Sequence, residues 1–384
     1  MTAAPNAVFN LMAQASAAQI SLGEALSRRT APAAPELIDP LPGNAVRCYA
    51  CGHRCKVLEG LKGICKVRYN EGGVLRVPRG YVAALQVDPI EKKPFFHAYP
   101  GALALSFGML GCDYHCGYCQ NWVTSQALRD PVAGVSPMDV EPAELIALAQ
   151  QQGATVITST YNEPLITSEW AVEVFREAKQ AGLACSYVSN GNGTERVLDY
   201  ISPYLDMYKV DLKGFSDRHY RDLGGTLPPV LETIQSLHRR GIWTEVVTLI
   251  IPGFNDSDEE LTDIAEFLAS VSIDLPWHVT AFHEDYKMTG NGNTPASTLL
   301  RACEIGKRAA LRYIYPGNIA GAFGEREGTH CPSCNGVVIG RRGFRVTSYR
   351  LIDGRCPDCM TPIPGLWNGS ARIGMSGMPK ALRV

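Results

Sequence analysis

Three cysteines, Cys112, Cys116 and Cys119, stand in the segment GCDYHCGYCQNW, with three and then two residues between them. The apolar run LALSFGML leads directly into them. Three thiolates on one short loop suit a four-iron cluster that keeps one iron open. Structural zinc and electron-transfer clusters usually take four protein ligands, and a fully ligated ion has no position left for a substrate. A three-ligand set therefore points to chemistry. Burial of three unrelated thiols is the competing explanation, because free cysteine is often buried. Such spacing beside two glycines, a strand and an aromatic reads instead as a metal site.

The loop resembles the cluster loop of radical S-adenosylmethionine enzymes. That resemblance implies that Cys112, Cys116 and Cys119 bind a [4Fe-4S] cluster whose open iron is chelated by the amino and carboxylate groups of S-adenosyl-L-methionine. It also implies that Tyr118, just before the last cysteine, lies near the adenine.

The elements that must position this loop are legible from about Gly101 to Asn318, where short apolar runs alternate with helical patterns. The runs LALSFGML, TVITST, CSYVSN, MYKVDL, EVVTLII and WHVTAF read as strands, with RYIYPG as a candidate seventh. Between them, Pro142–Gln152, Ser168–Ala181, Pro229–Arg240 and Asp258–Ser270 carry apolar residues at helical spacing. Strict alternation implies parallel strands with right-handed crossovers, hence an α/β fold. A doubly wound sheet competes with a barrel. Polar motifs follow nearly every strand, as expected when loops around one carboxyl end converge on a site. The expected fold is a partial (β/α)6 TIM-type barrel, and the resemblance implies the same core with the cluster loop after its first strand.

The later loops carry polar groups suited to a bound S-adenosylmethionine. In STYNEP, Asn162 and Glu163 could bind the methionyl ammonium, while a helix-capping turn would use the same residues. Glu163-Pro164 matches the end of the superfamily's glycine-glycine-glutamate-proline motif, with Tyr161 and Asn162 in place of the glycines. In SNGNG, Asn190 and Gly191 could approach a ribose or carboxylate, although Asn and Gly are also ordinary turn formers. KVDLKG sends Lys209, Asp211 and Lys213 to one side of a strand, where charges must bind something or pair. Asp211 suits ribose hydroxyls and Lys213 a carboxylate; an internal salt bridge is the alternative. The Pro252-Gly253 turn would let backbone approach a nucleoside, and His283 stands at a strand-end rim as cofactor ligand, proton shuttle or mere partner of a carbonyl.

Two further cysteine groups flank the core. Cys331, Cys334, Cys356 and Cys359 form CPSC and CPDC turns around RRGFRVTSYRLIDG, a hairpin pattern, and closed tetrahedral zinc explains the set. Cys48, Cys51, Cys55 and Cys65 are less regular. Gly52 and Gly63 can supply tight turns and His53 is a spare candidate ligand, with zinc the first choice and an auxiliary iron–sulfur cluster the runner-up. Eleven of 13 cysteines fall in groups and only Cys185 and Cys303 stand apart, which favours metal over disulfide and a reducing cytoplasm. The expected domains are an N-terminal helix or arm over 1–40, a Cys-rich module over 41–100, the core over 101–320, a zinc-ribbon-like module over 325–367 and a tail over 368–384.

From about Cys48 to Trp367 the motifs DPIEKKPFFHAYPG, GCDYHCGYCQNW, TYNEP, VDLKGF, IIPGFND, WHVTAFHEDYKM and CPSC…CPDC…TPIPGLW resemble one narrower group. This is the radical enzyme of the AMMECR1–Memo–radical SAM (AmmeMemoRadiSam) system, related to pyruvate formate-lyase activating enzymes. The activases imply cofactor contacts at Asp211, Lys213 and His283. The expected function is reductive cleavage of S-adenosylmethionine to a 5′-deoxyadenosyl radical that takes hydrogen from an unidentified substrate. The implied partners are an electron donor such as flavodoxin or ferredoxin, and a protein substrate or Memo-like and AMMECR1-like proteins. The alternatives are a glycyl-radical activase and a zinc-ribbon nucleic-acid-binding module with a degenerate barrel. For the last, Arg341, Arg342, Arg345 and Arg350 lie between the CxxC pairs, where a solvated face is the simpler reading.

At 384 residues the chain has room for one large domain and small appendages. With 36 Lys and Arg against 38 Asp and Glu, bulk charge gives no argument for nucleic acid or an anionic membrane. No run of about twenty apolar residues is present. Phe9 to Leu26 reads as a weakly amphipathic helix without the basic start and long apolar segment of a secretory signal, and a mobile arm or packing helix is the simpler reading.

Overall fold

The computed structural model describes residues 21–133, 135–367 and 380–381. The apolar runs become one sheet: β1 (Ala84–Pro89), β2 (Leu103–Gly108), β3 (Val156–Ser159), β4 (Ala184–Ser189), β5 (Met207–Asp211), β6 (Trp243–Ile250), β7 (Trp277–Ala281) and β8 (Ile314–Gly317). Spatial order follows chain order from β8 to β1, and Lys380–Ala381 adds outside β1. β2 to β8 pair in parallel, whereas β1 runs antiparallel to β2. The α/β expectation therefore holds, with RYIYPG supplying a seventh parallel strand. The antiparallel β1 was not foreseen, because ALQVDP carries too little alternation to stand out from the Cys-rich segment before it.

Each crossover is a helix whose sequence states its limits. These are α1 (Pro142–Gln151), α2 (Ser168–Gln180), α3 (Glu195–Ile201), α4 (Pro228–Arg239), α5 (Asp258–Val271) and α6 (Ala296–Arg308). Thr194 caps α3 by accepting from the Val197 amide, and Ser257 caps α5 by accepting from Glu260. Proline opens α1 and α4, where its missing donor costs nothing. α2 turns Trp170, Val174, Phe175 and Ala178 inward. With helices on one face and polar loops at the strand ends, every residue of β3 is buried.

The N-terminal cysteines lie among two small antiparallel sheets. Thr30–Pro32 pairs with Val74–Pro78, which pairs with Tyr69–Glu71; Ile38–Leu41 pairs with Ala45–Cys48, which pairs with Lys56–Val57. Residues 30–41 thus join this module rather than an arm. Of the proposed Phe9–Leu26 helix, residues 1–20 lie outside the described residues, and a short helix spans Leu22–Ser27 behind a Ser21–Glu24 capping box. Residues 368–379 and 382–384 of the proposed tail lie outside them as well.

At the other end, β9 (Val337–Arg342) and β10 (Arg345–Tyr349) form the expected hairpin between the CxxC turns. Its four arginines do not form one solvated face. Arg341 is buried, donating to the Thr329 hydroxyl at 2.8 Å and the Phe96 carbonyl at 2.5 Å, with its guanidinium 4.4 Å from the Phe96 ring centre. The module is docked through this contact. The segment after it is held by His97, which bonds the Pro364 carbonyl at 2.7 Å and the Tyr315 hydroxyl at 2.6 Å. Among the described residues no helix is long and apolar enough to cross a membrane.

Candidate functional site

The loop from Met109 to Trp122 leaves the carboxyl end of β2. A Cβ at Gly108 would lie 2.5 Å from the Thr160 carbonyl oxygen and 2.7 Å from the Tyr161 Cβ, so glycine lets β2 meet the loop after β3. Asn162 accepts from the Met109 amide at 3.0 Å and fixes the loop's start. The Tyr114 amide donates to the Cys112 sulfur at 3.3 Å, and the Ser125 hydroxyl lies 3.2 Å from the Cys119 sulfur. Cys112, Cys116 and Cys119 all line one cavity of about 400 Å³, within the size range of cofactor sites. Burial pushes all three thiols up, Cys116 to about 12, so their thiolates need a cationic centre beside them. Three convergent sulfurs in a cofactor-sized cavity fit a cluster with one open iron, and could hold it.

Across the cavity, strand alternation brings Lys209, Asp211 and Lys213 together as expected. The Lys209 ammonium bonds one Asp211 oxygen, and Lys213 Nζ lies 3.5 Å from the other. Burial pushes Asp211 up, but the two ammoniums outweigh it and hold the carboxyl below its ordinary range. Burial lowers Lys209. Burial opposes the charge of Lys213 too, yet Asp211 and the nearby Tyr118 and cysteine groups raise it well above an ordinary lysine. Lys213 Nζ sits 6.0 Å from the Tyr118 ring centre, and Tyr118 lines the cavity.

Glu163 and Asn190 also line the cavity, but their polar atoms are largely committed. Glu163 accepts from Ser189 Oγ at 2.7 Å, the Leu165 amide at 3.1 Å and the Asn190 amide at 2.8 Å. Burial, then the charge of Asp113, pushes its carboxyl up to about 8. Asn190 and Asn192 donate their side chains to Asp113 at 2.8 and 2.7 Å. Asn162 donates one of its two side-chain N–H bonds to the Glu163 carbonyl. Gly191 lies off the cavity: a Cβ there would meet Val210 at 2.6 Å, so this glycine serves packing against β5. His283 and the Pro252-Gly253 turn do not line the cavity either. His283 Nε2 sits at its rim, 2.9 Å from Gln120, which does line it.

Sequence reasoning missed Asp113, whose signal was an acid inside the cluster loop with no cation near it in sequence. It also gave no role to Lys93. That ammonium lies 2.6 Å from Asp88 and 2.9 Å from the Tyr161 hydroxyl, and burial brings its pKa down to about 8. Tyr161 holds the glycine-like backbone of the motif it replaces, with φ +66°, its hydroxyl anchored by Lys93 and Asp88. Beyond Lys93 the cavity continues past Phe96, His278 and Tyr315 to Phe344, a half-exposed side chain at the β9–β10 tip.

The outer groups differ. The sulfurs of Cys331, Cys334, Cys356 and Cys359 all lie within 4.8 Å of one another, with Cys331–Cys359 at 3.5 Å and Cys334–Cys356 at 3.6 Å. This closed four-thiolate set fits a metal ion. Cys48, Cys51, Cys55 and Cys65 line a second small cavity with Arg68 and Ile166. His53, the spare ligand expected there, turns away instead: its Nε2 lies 4.0 Å from Asp113.

A sequence model of the Radical SAM superfamily matches residues 108–268. An uncharacterized protein of Methanocaldococcus jannaschii is 34% identical over 325 residues, covering 84% of this chain and 96% of that protein. The pyruvate formate-lyase-activating enzyme of Staphylococcus aureus is 25% identical over 186 residues, covering 45% of this chain and 72% of the enzyme. Among solved structures, a domain of the pyruvate-formate lyase-activating enzyme from Bacteroides vulgatus aligns with TM-score 0.37 at 17% identity, over 42% of this chain and 98% of that domain.

Proposed function

The chain belongs to the radical SAM superfamily, and on that premise we propose that it is an enzyme that cleaves S-adenosyl-L-methionine reductively and uses the resulting radical on a substrate at the far end of the 400 Å³ cavity. A bound [4Fe-4S] cluster would supply the single electron, drawn from a donor such as flavodoxin or ferredoxin, that reductive cleavage of S-adenosylmethionine to methionine and a hydrogen-abstracting 5′-deoxyadenosyl radical requires. The protein's own part is to hold and orient. Cys112, Cys116 and Cys119 supply the thiolates. Lys213 offers an ammonium to a carboxylate, and Asp211 offers an acceptor to ribose hydroxyls, each already charged and aimed by its neighbour. Tyr118 presents its ring beside Lys213 for the adenine. Glu163 keeps a lone pair for the methionyl ammonium, while Asn162, Asn190 and Gly191 shape the loops around it. His283 reaches the site through Gln120.

The observation that carries this reading is the convergence of three cysteines from one loop and a paired Asp–Lys set on the same cavity. A second reading, glycyl-radical activation of a protein partner, draws on the likeness to the Staphylococcus aureus activating enzyme. Memo-like or AMMECR1-like partners are proposed on the motif resemblance alone. Zinc is the proposed ion for the C-terminal group, a cytoplasmic location follows from the need for thiolates, and the docked ribbon lends Phe344 to the far end of the cavity. Burial of Arg341 weighs against its hairpin being a nucleic-acid surface.

Anaerobic reconstitution with reductant and S-adenosylmethionine should yield 5′-deoxyadenosine. The triple substitution Cys112→Ala, Cys116→Ala, Cys119→Ala should abolish it. Product formed at the wild-type rate by that variant would overturn the proposal.

A further inference from the structure

We propose that Cys48, Cys51, Cys55 and Cys65 hold a second iron–sulfur cluster rather than zinc, set directly behind the loop that carries Cys112. Four thiolates around one tetrahedral zinc ion, at about 2.3 Å each, stand roughly 3.8 Å apart. The C-terminal group has that size, with sulfur pairs at 3.5 and 3.6 Å and all four within 4.8 Å. In the N-terminal group no three sulfurs meet that limit, although all four line one cavity. The central trio, Cys112, Cys116 and Cys119, shares this wider spread. A cuboidal cluster needs such spacing because iron and sulfide occupy the space between the ligands. One chain thus contains one set of sulfurs at ion spacing and two sets that are wider, and on the reading that the central trio holds a cluster, the N-terminal cysteines fall on the same side of that limit.

The surroundings suit a buried redox centre. Cys48, Cys51 and Cys65 are almost wholly buried, unlike the exposed Cys334 and Cys359. The Arg68 guanidinium lies 3.7 Å from the Cys48 sulfur, donates to the Ile166 carbonyl at 2.8 Å, and is paired with Glu169. A charged donor on a ligand sulfur together with burial are the protein's levers on cluster potential. Position adds a second argument. A Cβ on Gly111, the residue before Cys112, would stand 3.0 Å from the Cys65 carbonyl oxygen. Arg129 binds the Ile64 and Cys112 carbonyls at 2.5 and 2.8 Å. Gly111 and Arg129 thus pack the backbone of one cysteine segment against that of the other.

The test uses the full chain with Cys112, Cys116 and Cys119 all replaced by alanine, reconstituted anaerobically with iron and sulfide. We expect about four irons and four sulfides per chain to remain, with a broad cluster absorption that bleaches on reduction. Adding Cys51→Ser and Cys65→Ser should remove that iron and leave the C-terminal metal in place. Two zinc ions and no iron in the triple variant would overturn the inference, as would iron that survives the two added serines. Wild-type protein that carries both clusters yet never forms 5′-deoxyadenosine would defeat the proposed function and leave this inference standing.

Discussion

Asn190 donates its side-chain amide to Asp113 at 2.8 Å, tying the loop after β4 to the loop that carries the three central cysteines. Its backbone amide donates to Glu163 at 2.8 Å, and Asn192 donates to the second Asp113 oxygen. Two carboxylates thus lock three loops together below the cavity. A satisfied buried network of this kind fixes geometry because any opening would strand a desolvated charge.

Asp113→Ala removes two bonds to a charged acceptor, each worth about 1.5–3 kcal/mol. A loss of roughly 3 kcal/mol in stability should follow, read by denaturant unfolding, together with faster iron release to a chelator. Unchanged iron release would show that Asp113 does not brace the cysteine loop.

Lys213→Gln removes the ammonium offered to the cofactor's carboxylate but leaves the Lys209–Asp211 pair. S-adenosylmethionine affinity should fall about tenfold or more, a cost of at least ~1.4 kcal/mol, with iron content unchanged. Asp211→Asn leaves both lysines without a carboxylate, so this variant should also lose about 3–5 kcal/mol of stability. Equilibrium dialysis and thermal melting separate the two effects.

Much of this candidate site is legible in the sequence. Spacing alone marked Cys112, Cys116 and Cys119, and period-two alternation placed Lys209, Asp211 and Lys213 on one side. What escaped was anything that depends on two loops meeting. Asn190 reads as a turn former in sequence, and only Asp113 opposite it reveals a brace. Arg341 looks like its exposed neighbours, because its burial comes from Phe96, nearly 250 positions earlier. Short strands were hidden for a related reason: β1 pairs with β2 in register, yet has no pattern of its own strong enough to announce it.

His97 gives the fold an acid limit. Burial lowers its pKa from 6.5 to about 4 against the pull of Glu245, and the ring stays neutral between the Pro364 carbonyl and the Tyr315 hydroxyl. The unfolded chain takes up this proton near pH 6.5, whereas the folded chain resists until about pH 4. Stability present above pH 6.5 is therefore lost as pH falls through that window, by ~3 kcal/mol from this residue. Unfolding free energy measured across the window should slope less in His97→Gln; equal slopes would remove His97 as the cause.

Cys356→Ser should lose the metal of the C-terminal group and expose residues 330–365 to protease. Because that group is separate from the central cysteines, iron content and S-adenosylmethionine affinity should change less than about twofold, since the ribbon contributes only Phe344 at the cavity's far end. Metal analysis after mild chelation checks the same point without mutation.

Spatial order in the sheet repeats chain order, and this sets a timetable during synthesis. The loop with Cys119 emerges almost two hundred residues before β8 and its Tyr315 complete the opposite wall. At about 5–20 residues per second, the nascent cavity stays open on that side for tens of seconds. During that interval the three cysteines face a cavity whose last wall has not yet been made. The late strand β8 then completes that wall, and His97 ties the segment at Pro364 to it through Tyr315.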